Sequence, residues 1–245
     1  KPYDVMLDDF EPGIDQSYLD EYFGRLRREL VPLVRAIGEA GQPDTGWLKG
    51  TYPAALQEKL AKRVMAMMKV DTERCVLGQS EHPFTTNFNN KDVRITTHYH
   101  EDNLLSSLYS VIHEAGHGLY ELGIADELQY GCLAGGVSMG IHESQSRLYE
   151  NMLGRSLPFA QALLPVLAEI FPDTFMGIET AQLHRALNVS RPSLIRTESD
   201  ELTYSMHIMV RYELEKALYE LRYELDHRPE KLGIPLAALT ALAGS

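Results

Sequence analysis

Residues 113–117 read His113-Glu114-Ala115-Gly116-His117, set inside a run of apolar residues at helical spacing, and this restricts the fold more than any other feature. Leu104, Leu105, Leu108, Val111 and Ile112 lead into the motif, and Leu119, Tyr120 and Leu122 continue the stripe. Asp102 or Asn103 is a candidate N-cap, and Gly123 a candidate stop. The motif therefore belongs in a helix apolar enough to be buried. Residues i and i+4 share a helix face, so His113 and His117 can grip one metal ion together. Glu114 then sits beside the ion, placed to take a proton from water, as in zinc peptidases. Buried polar groups left unpaired cost on the order of 1–3 kcal/mol each. A metal would supply both histidines with a partner; ordinary hydrogen bonds are the alternative.

A site of this kind needs a third protein ligand and an open position. Gly140 to Asn151 reads as a second helix, with Ile141, Leu148 and Met152 apolar and Gly154 near its end. Glu143 within it follows His117 by 26 residues (143 − 117), room for a glycine-rich loop and the start of a packed helix. His142 is a rival, pointing about 100° away on a helix, and Glu150 is another, two turns on. Glu143 could instead pair with Arg147 at i+4. Periodicity alone leaves these readings open.

Further motifs lie in order along the chain: His82-Pro83-Phe84, Asp92-Val93-Arg94-Ile95-Thr96-Thr97, His142-Glu143-Ser144-Gln145 and Ile195-Arg196-Thr197-Glu198-Ser199-Asp200. With the H-E-x-x-H segment, they make the chain resemble the Taq-type thermostable metallocarboxypeptidase family. The resemblance implies that His113, His117 and Glu143 bind one zinc ion, with cobalt(II) as a substitute, and that Glu114 is the general base. It implies release of single C-terminal amino acids from peptides with broad specificity, and homodimeric assembly. His82 and Arg94, in the first two motifs, are implied to line the substrate cleft. Ser199 stands where the family has alanine. Family members run to about twice this length and carry a G-x-x-Q-D-x-H-W motif that is not found here, so the expectation is a fragment or shortened relative.

The termini of such substrates are carboxylates, and arginine's planar fork matches a carboxylate bidentately. Arg94 and Arg196 are the candidates, each with an ion-pair alternative: Arg94 with Asp92, Arg196 with Glu198 or Asp200. Tyr204 and His207 share a face at i, i+3 and are candidate donors to a developing oxyanion. Both could equally be satisfied core residues. The competing functions are an oligopeptidase or endopeptidase of the same type, and an inactive metal-binding fragment.

Composition narrows the class further. At 245 residues and 44% apolar content, the chain can bury a core as a single catalytic-core domain, 1–245. A formal charge of −12 disfavours nucleic-acid binding, which needs a basic face. No apolar run approaches the roughly 20 residues of a membrane span. Cys75 and Cys132 are not a C-x-x-C pair and suit a reducing cytoplasm.

The expected fold is mainly α: a helical zinc-peptidase fold with a small β-hairpin beside the active-site helix. Helices are predicted at 15–40, 53–69, from 103, from 141, at 158–170, 173–187 and 199–226, with a short helix or turn at 71–80. Thr85–Phe88 and Val93–Tyr99 alternate and are β-branched, and Asn89–Asp92 reads as the turn of a hairpin. An edge strand of this kind can hold an extended peptide.

Overall fold

The computed structural model describes residues 2–194, 196 and 199–243, and the fold is mainly helical with one small sheet. The described chain forms two compact units, one of residues 43–189 and one joining residues 1–42 to 190–245.

In the first of these, α3 (Ala54–Met67) precedes a three-stranded sheet of β1 (Cys75–Gln79), β2 (Thr85–Asn89) and β3 (Asp92–Thr97). β3 is central, antiparallel to β2 and parallel to β1. The hairpin is as expected, with a bulge between Asn87 and Asn89. The expectation of a helix or turn over 71–80 is corrected: a turn ends at Arg74 and Cys75–Gln79 is a strand. Its stability comes from pairing with β3, a tertiary contact that local alternation does not announce.

α4 (Leu104–Leu122) carries the H-E-x-x-H motif; Asn103 caps it, its side chain accepting from the Ser106 amide. The helix is a wedge between two apolar clusters. Leu104, Leu108 and Ile112 pack with Leu60 and Val64 of α3 and with Leu163 and Leu167 of α6 (Leu157–Ile170). Val111, Ala115 and Leu122 pack with Val93 and Ile95 of β3. The remaining face is polar and meets α5 (Met139–Arg147), which continues through Leu148–Leu153 as a wider π-helical turn. The unit closes with α7 (Pro172–Phe175) and α8 (Thr180–Leu187). The single helix expected over 173–187 is broken at Gly177, whose φ of 84° lies where glycine is favoured.

The regular structure described in the other unit is helical and includes α1 (Pro2–Phe10), α2 (Gln16–Ala40), α9 (Glu201–His227) and α10 (Gly233–Ala243). α1 and α10 were not anticipated from periodicity. Tyr3, Phe23, Tyr212 and Tyr219 form an aromatic cluster, and the Tyr212 hydroxyl donates to Asp20 Oδ1 at 2.9 Å. No described helix is long and apolar enough to cross a membrane.

Candidate metal centre

His113 and His117 project from one face of α4, as their i, i+4 spacing dictates. Opposite them, Glu143 stands at the middle of α5. Its Oε2 lies 3.5 Å from His113 Nε2 and 3.3 Å from His117 Nε2. Among the described residues this is the one group of histidine, cysteine or acidic side chains whose ligand atoms converge, all within 4.8 Å of one another. Two imidazole nitrogens and one carboxylate oxygen suit a borderline divalent ion such as zinc and leave a coordination position for water. The donor set therefore fits the ion that the motif implies.

Close approach of the two helices makes this convergence. Gly116 lies at the contact: a Cβ there would sit 2.8 Å from the Ser146 Cα. Glycine is needed because the obstructing atom is backbone rather than a flexible side chain. Ser146 is fully buried beneath it.

Outer partners hold the three donors in place. Glu150, carried on the π-helical turn, lies 2.7 Å from His113 Nδ1. His142 Nδ1 lies 2.6 Å from His117 Nδ1, and His142 Nε2 lies 2.6 Å from the buried carboxylate of Glu121. Both rivals for the third ligand, His142 and Glu150, thus sit behind the histidines. Arg147 donates to Glu143 Oε1 at 2.8 Å and to Glu150 Oε2 at 3.0 Å. The i+4 ion pair with Arg147 and the approach of Glu143 to the histidines coexist, because its two oxygens face different ways.

These contacts set the charge states. Burial by itself would raise the Glu143 carboxyl; the His117 hydrogen bond and the charges of His113 and Arg147 outweigh it and hold the group down at about 2. Burial would likewise lower His113, but the Glu150 hydrogen bond and the charges of Glu150, Glu143 and Glu114 lift its imidazole above its ordinary value. The metal-free site is therefore an anionic pocket in which a proton on His113 competes with a cation.

Glu114 is buried, and its Oε2 accepts a 2.6 Å hydrogen bond from Thr85 Oγ1 on β2. Two residues along the same strand, Asn87 donates to Glu121 Oε2 at 2.8 Å. Glu114 and Glu121 are seven residues apart, close to two helical turns, so one face of β2 supports both. Sequence reasoning missed Thr85, Asn87 and Glu121. The signal for Glu121 was available: it continues the spacing of His113 and His117 by one more i+4 step.

The other sequence candidates are placed as follows. His82 is exposed in the loop between β1 and β2, its carbonyl accepting from Ser80 Oγ. Arg94 is an exposed residue of β3 that donates to both oxygens of Asp92, at 2.8 and 2.9 Å, the ion-pair alternative. Arg196, Tyr204 and His207 belong to the other unit, where Arg196 donates to the Tyr204 hydroxyl at 2.7 Å. Ile195, Thr197 and Glu198 of that motif lie outside the described residues. Asp200 is the N-cap of α9, accepting from the Leu202 and Thr203 amides.

A buried helix bearing H-E-x-x-H, faced by a glutamate from a following helix, is the donor pattern of the metallopeptidase class. The chain belongs to the carboxypeptidase Taq (M32) metallopeptidase family, whose model matches residues 1–231. It is 39% identical over 229 residues to Carboxypeptidase 1 of Bacillus subtilis (strain 168), covering 93% of this chain and 46% of that protein. It is 40% identical over 230 residues to Thermostable carboxypeptidase 1 of Thermus thermophilus, covering 93% and 45%. The crystal structure of the M32 carboxypeptidase from Deinococcus radiodurans R1 superposes with a TM-score of 0.85 at 40% identity, over 88% of this chain and 43% of that one. The chain thus spans somewhat less than half the length of the relatives it matches.

Proposed function

We propose that this chain carries the metal centre and general base of a zinc-dependent carboxypeptidase that removes single C-terminal residues from peptides with broad specificity. The observation that carries the reading is the convergence of His113 Nε2, His117 Nε2 and Glu143 Oε2 beside a buried Glu114. A divalent ion bound there supplies Lewis acidity, lowering the pKa of the attacking water and polarising the scissile carbonyl. Glu114, oriented by Thr85, takes the proton from that water and returns it to the leaving amine. β2 is an edge strand, and its free edge offers backbone groups to an extended peptide. Arg94 and Arg196 are the candidate anchors for the terminal carboxylate, with His82 a further substrate contact. Tyr204 and His207 are the candidate oxyanion donors. The free cysteines, Cys75 buried and Cys132 exposed, are compatible with a reducing compartment.

The test is release of the C-terminal amino acid from an N-blocked dipeptide by the zinc-loaded chain, beside Glu114→Gln. Loss of a general base removes about 10²–10⁴-fold of rate, so release is expected from the parent and close to none from the variant. A C-terminally amidated peptide should resist cleavage. Equal cleavage of the amide would instead identify an oligopeptidase. Folded, zinc-bound protein that releases nothing would make this chain a metal-binding remnant.

A further inference from the structure

Two imidazole nitrogens that face each other at hydrogen-bonding distance must be one donor and one acceptor. His117 Nδ1 and His142 Nδ1 face each other at 2.6 Å, so the proton between them belongs to one ring or the other. The assignment follows from the far side of His142. Its Nε2 lies 2.6 Å from Glu121 Oε1, and an ionised carboxylate only accepts. Asn87 occupies the other oxygen, Oε2, as a donor at 2.8 Å. A neutral His142 ring therefore keeps its proton on Nε2 and offers a lone pair at Nδ1. His117 must then carry a proton on Nδ1, so the nitrogen it can offer to a metal is Nε2, the one that faces Glu143.

We propose that His142 and Glu121 are positioning residues that lock His117 in the tautomer able to bind the metal through Nε2. This rests on the reading of His113, His117 and Glu143 as the ligands. His113 reaches a carboxylate, Glu150, in one step; His117 reaches Glu121 in two, with His142 as the intermediate. The His142 ring is held for this task. Tyr120 meets it edge-on at 4.9 Å between centroids, and Gly136 lies so close that a Cβ there would be 2.9 Å from His142 Cδ2. The reverse tautomer would set the His142 Nε2 lone pair against the buried carboxylate, a repulsive contact in a site of low dielectric.

The experiment measures zinc affinity of the 245-residue chain by competition with a chromogenic chelator, together with the melting temperature of the metal-free protein. Glu121→Gln is isosteric, but its amide can donate to His142 Nε2 and so releases the lock. Zinc binding is expected to weaken by roughly 10-fold or more, the usual scale for loss of an outer partner of a metal-ligating histidine. The metal-free melting temperature should stay at the parent value. His142→Phe should weaken binding at least as much. His142→Asn, whose Oδ1 replaces the Nδ1 acceptor, should recover most of the loss. Affinities within about twofold of the parent in both Glu121→Gln and His142→Phe would overturn the proposal, on the same scale. So would a loss that His142→Asn leaves unrestored, or one accompanied by a matching fall in metal-free melting temperature. A parent chain that takes up no zinc would remove the ligand assignment itself, an outcome distinct from unaffected variants of a zinc-binding parent.

Discussion

Thr85 Oγ1 donates to Glu114 Oε2 at 2.6 Å and lies 3.1 Å from the carbonyl of the same glutamate. β2 thus orients the Glu114 carboxylate, the general base of the proposed function. A hydrogen bond to a charged group contributes roughly 1.5–3 kcal/mol. Thr85→Val keeps the shape and deletes the donor, so kcat of the zinc-loaded chain should fall by about 10-fold or more on that scale, with KM little changed. Thr85→Ser should restore it. Steady-state kinetics on a blocked dipeptide decides, and a Val variant with parental kcat would show that Glu114 is oriented by its helix alone.

Gly116 is the point where α4 and α5 touch. In Gly116→Ala the new methyl meets the Ser146 Cα at 2.8 Å, and backbone must move. Overpacking of this kind costs about 1–3 kcal/mol. Urea unfolding of the metal-free protein should register that loss, and zinc affinity should fall with it because Glu143 shifts away from the histidines. Unchanged values in both measurements would mean that the helices separate freely.

On the proposed ligand assignment, zinc must displace a proton from His113, whose imidazole is raised above its ordinary value by Glu150, Glu143 and Glu114 against the opposing effect of burial. The sign follows: below that raised value the ring is protonated and cannot ligate, and above it the ring is free. Zinc affinity should therefore fall with decreasing pH, about tenfold per unit for each proton displaced, starting at a higher pH than an ordinary histidine of about 6.5 would set. Isothermal titration in buffers of different ionisation enthalpy should reveal the proton release. A pH-independent affinity between pH 6 and 8 (about the range in which histidine titrates) would contradict it.

Asp200 caps α9 and also accepts from the hydroxyls of Thr203 and Ser190. Burial would raise its carboxyl; these hydrogen bonds and those from the Thr203 and Arg191 amides prevail and hold it below 3.8. A folded-state value lowered in this way adds stability above pH 3.8, and that stability disappears as pH falls through the folded value. Asp200→Ala should cost about 1–2 kcal/mol at neutral pH. The gap between parent and variant should narrow at pH 3, a little below the ordinary aspartate value of about 3.9. Thermal melts across that range test it.

The buried helix and its two histidines were legible because one period, i to i+4, encodes both the apolar stripe and the shared face. By spacing alone Glu143 was one of three candidates, since spacing does not distinguish a residue that points at a cation from one that supports a ligand from behind; the family resemblance singled it out. His142 and Glu150 differ from it by the direction of a side chain, which depends on how α5 lies on Gly116. Thr85 and Asn87 looked like ordinary residues of a polar edge strand, and their partners are 29 and 34 residues away. β1 was missed because parallel pairing with β3 leaves no local mark. In the I-R-T-E-S-D segment the motif was visible, but the capping role of Asp200 was not drawn from it.

Because helix-to-helix contact sets the distance from Glu143 to the histidines, the connector between α4 and α5 is relieved of that duty. Gly131–Leu133 is exposed at its outer end, while Gly136 stays pressed against His142. The connector's tip is accordingly a place where the chain tolerates novelty: residues inserted there would lengthen a surface excursion and leave the spacing of the donors untouched. On the proposed function, substrate preference could drift by variation of this loop without each trial geometry having to rebuild the metal centre.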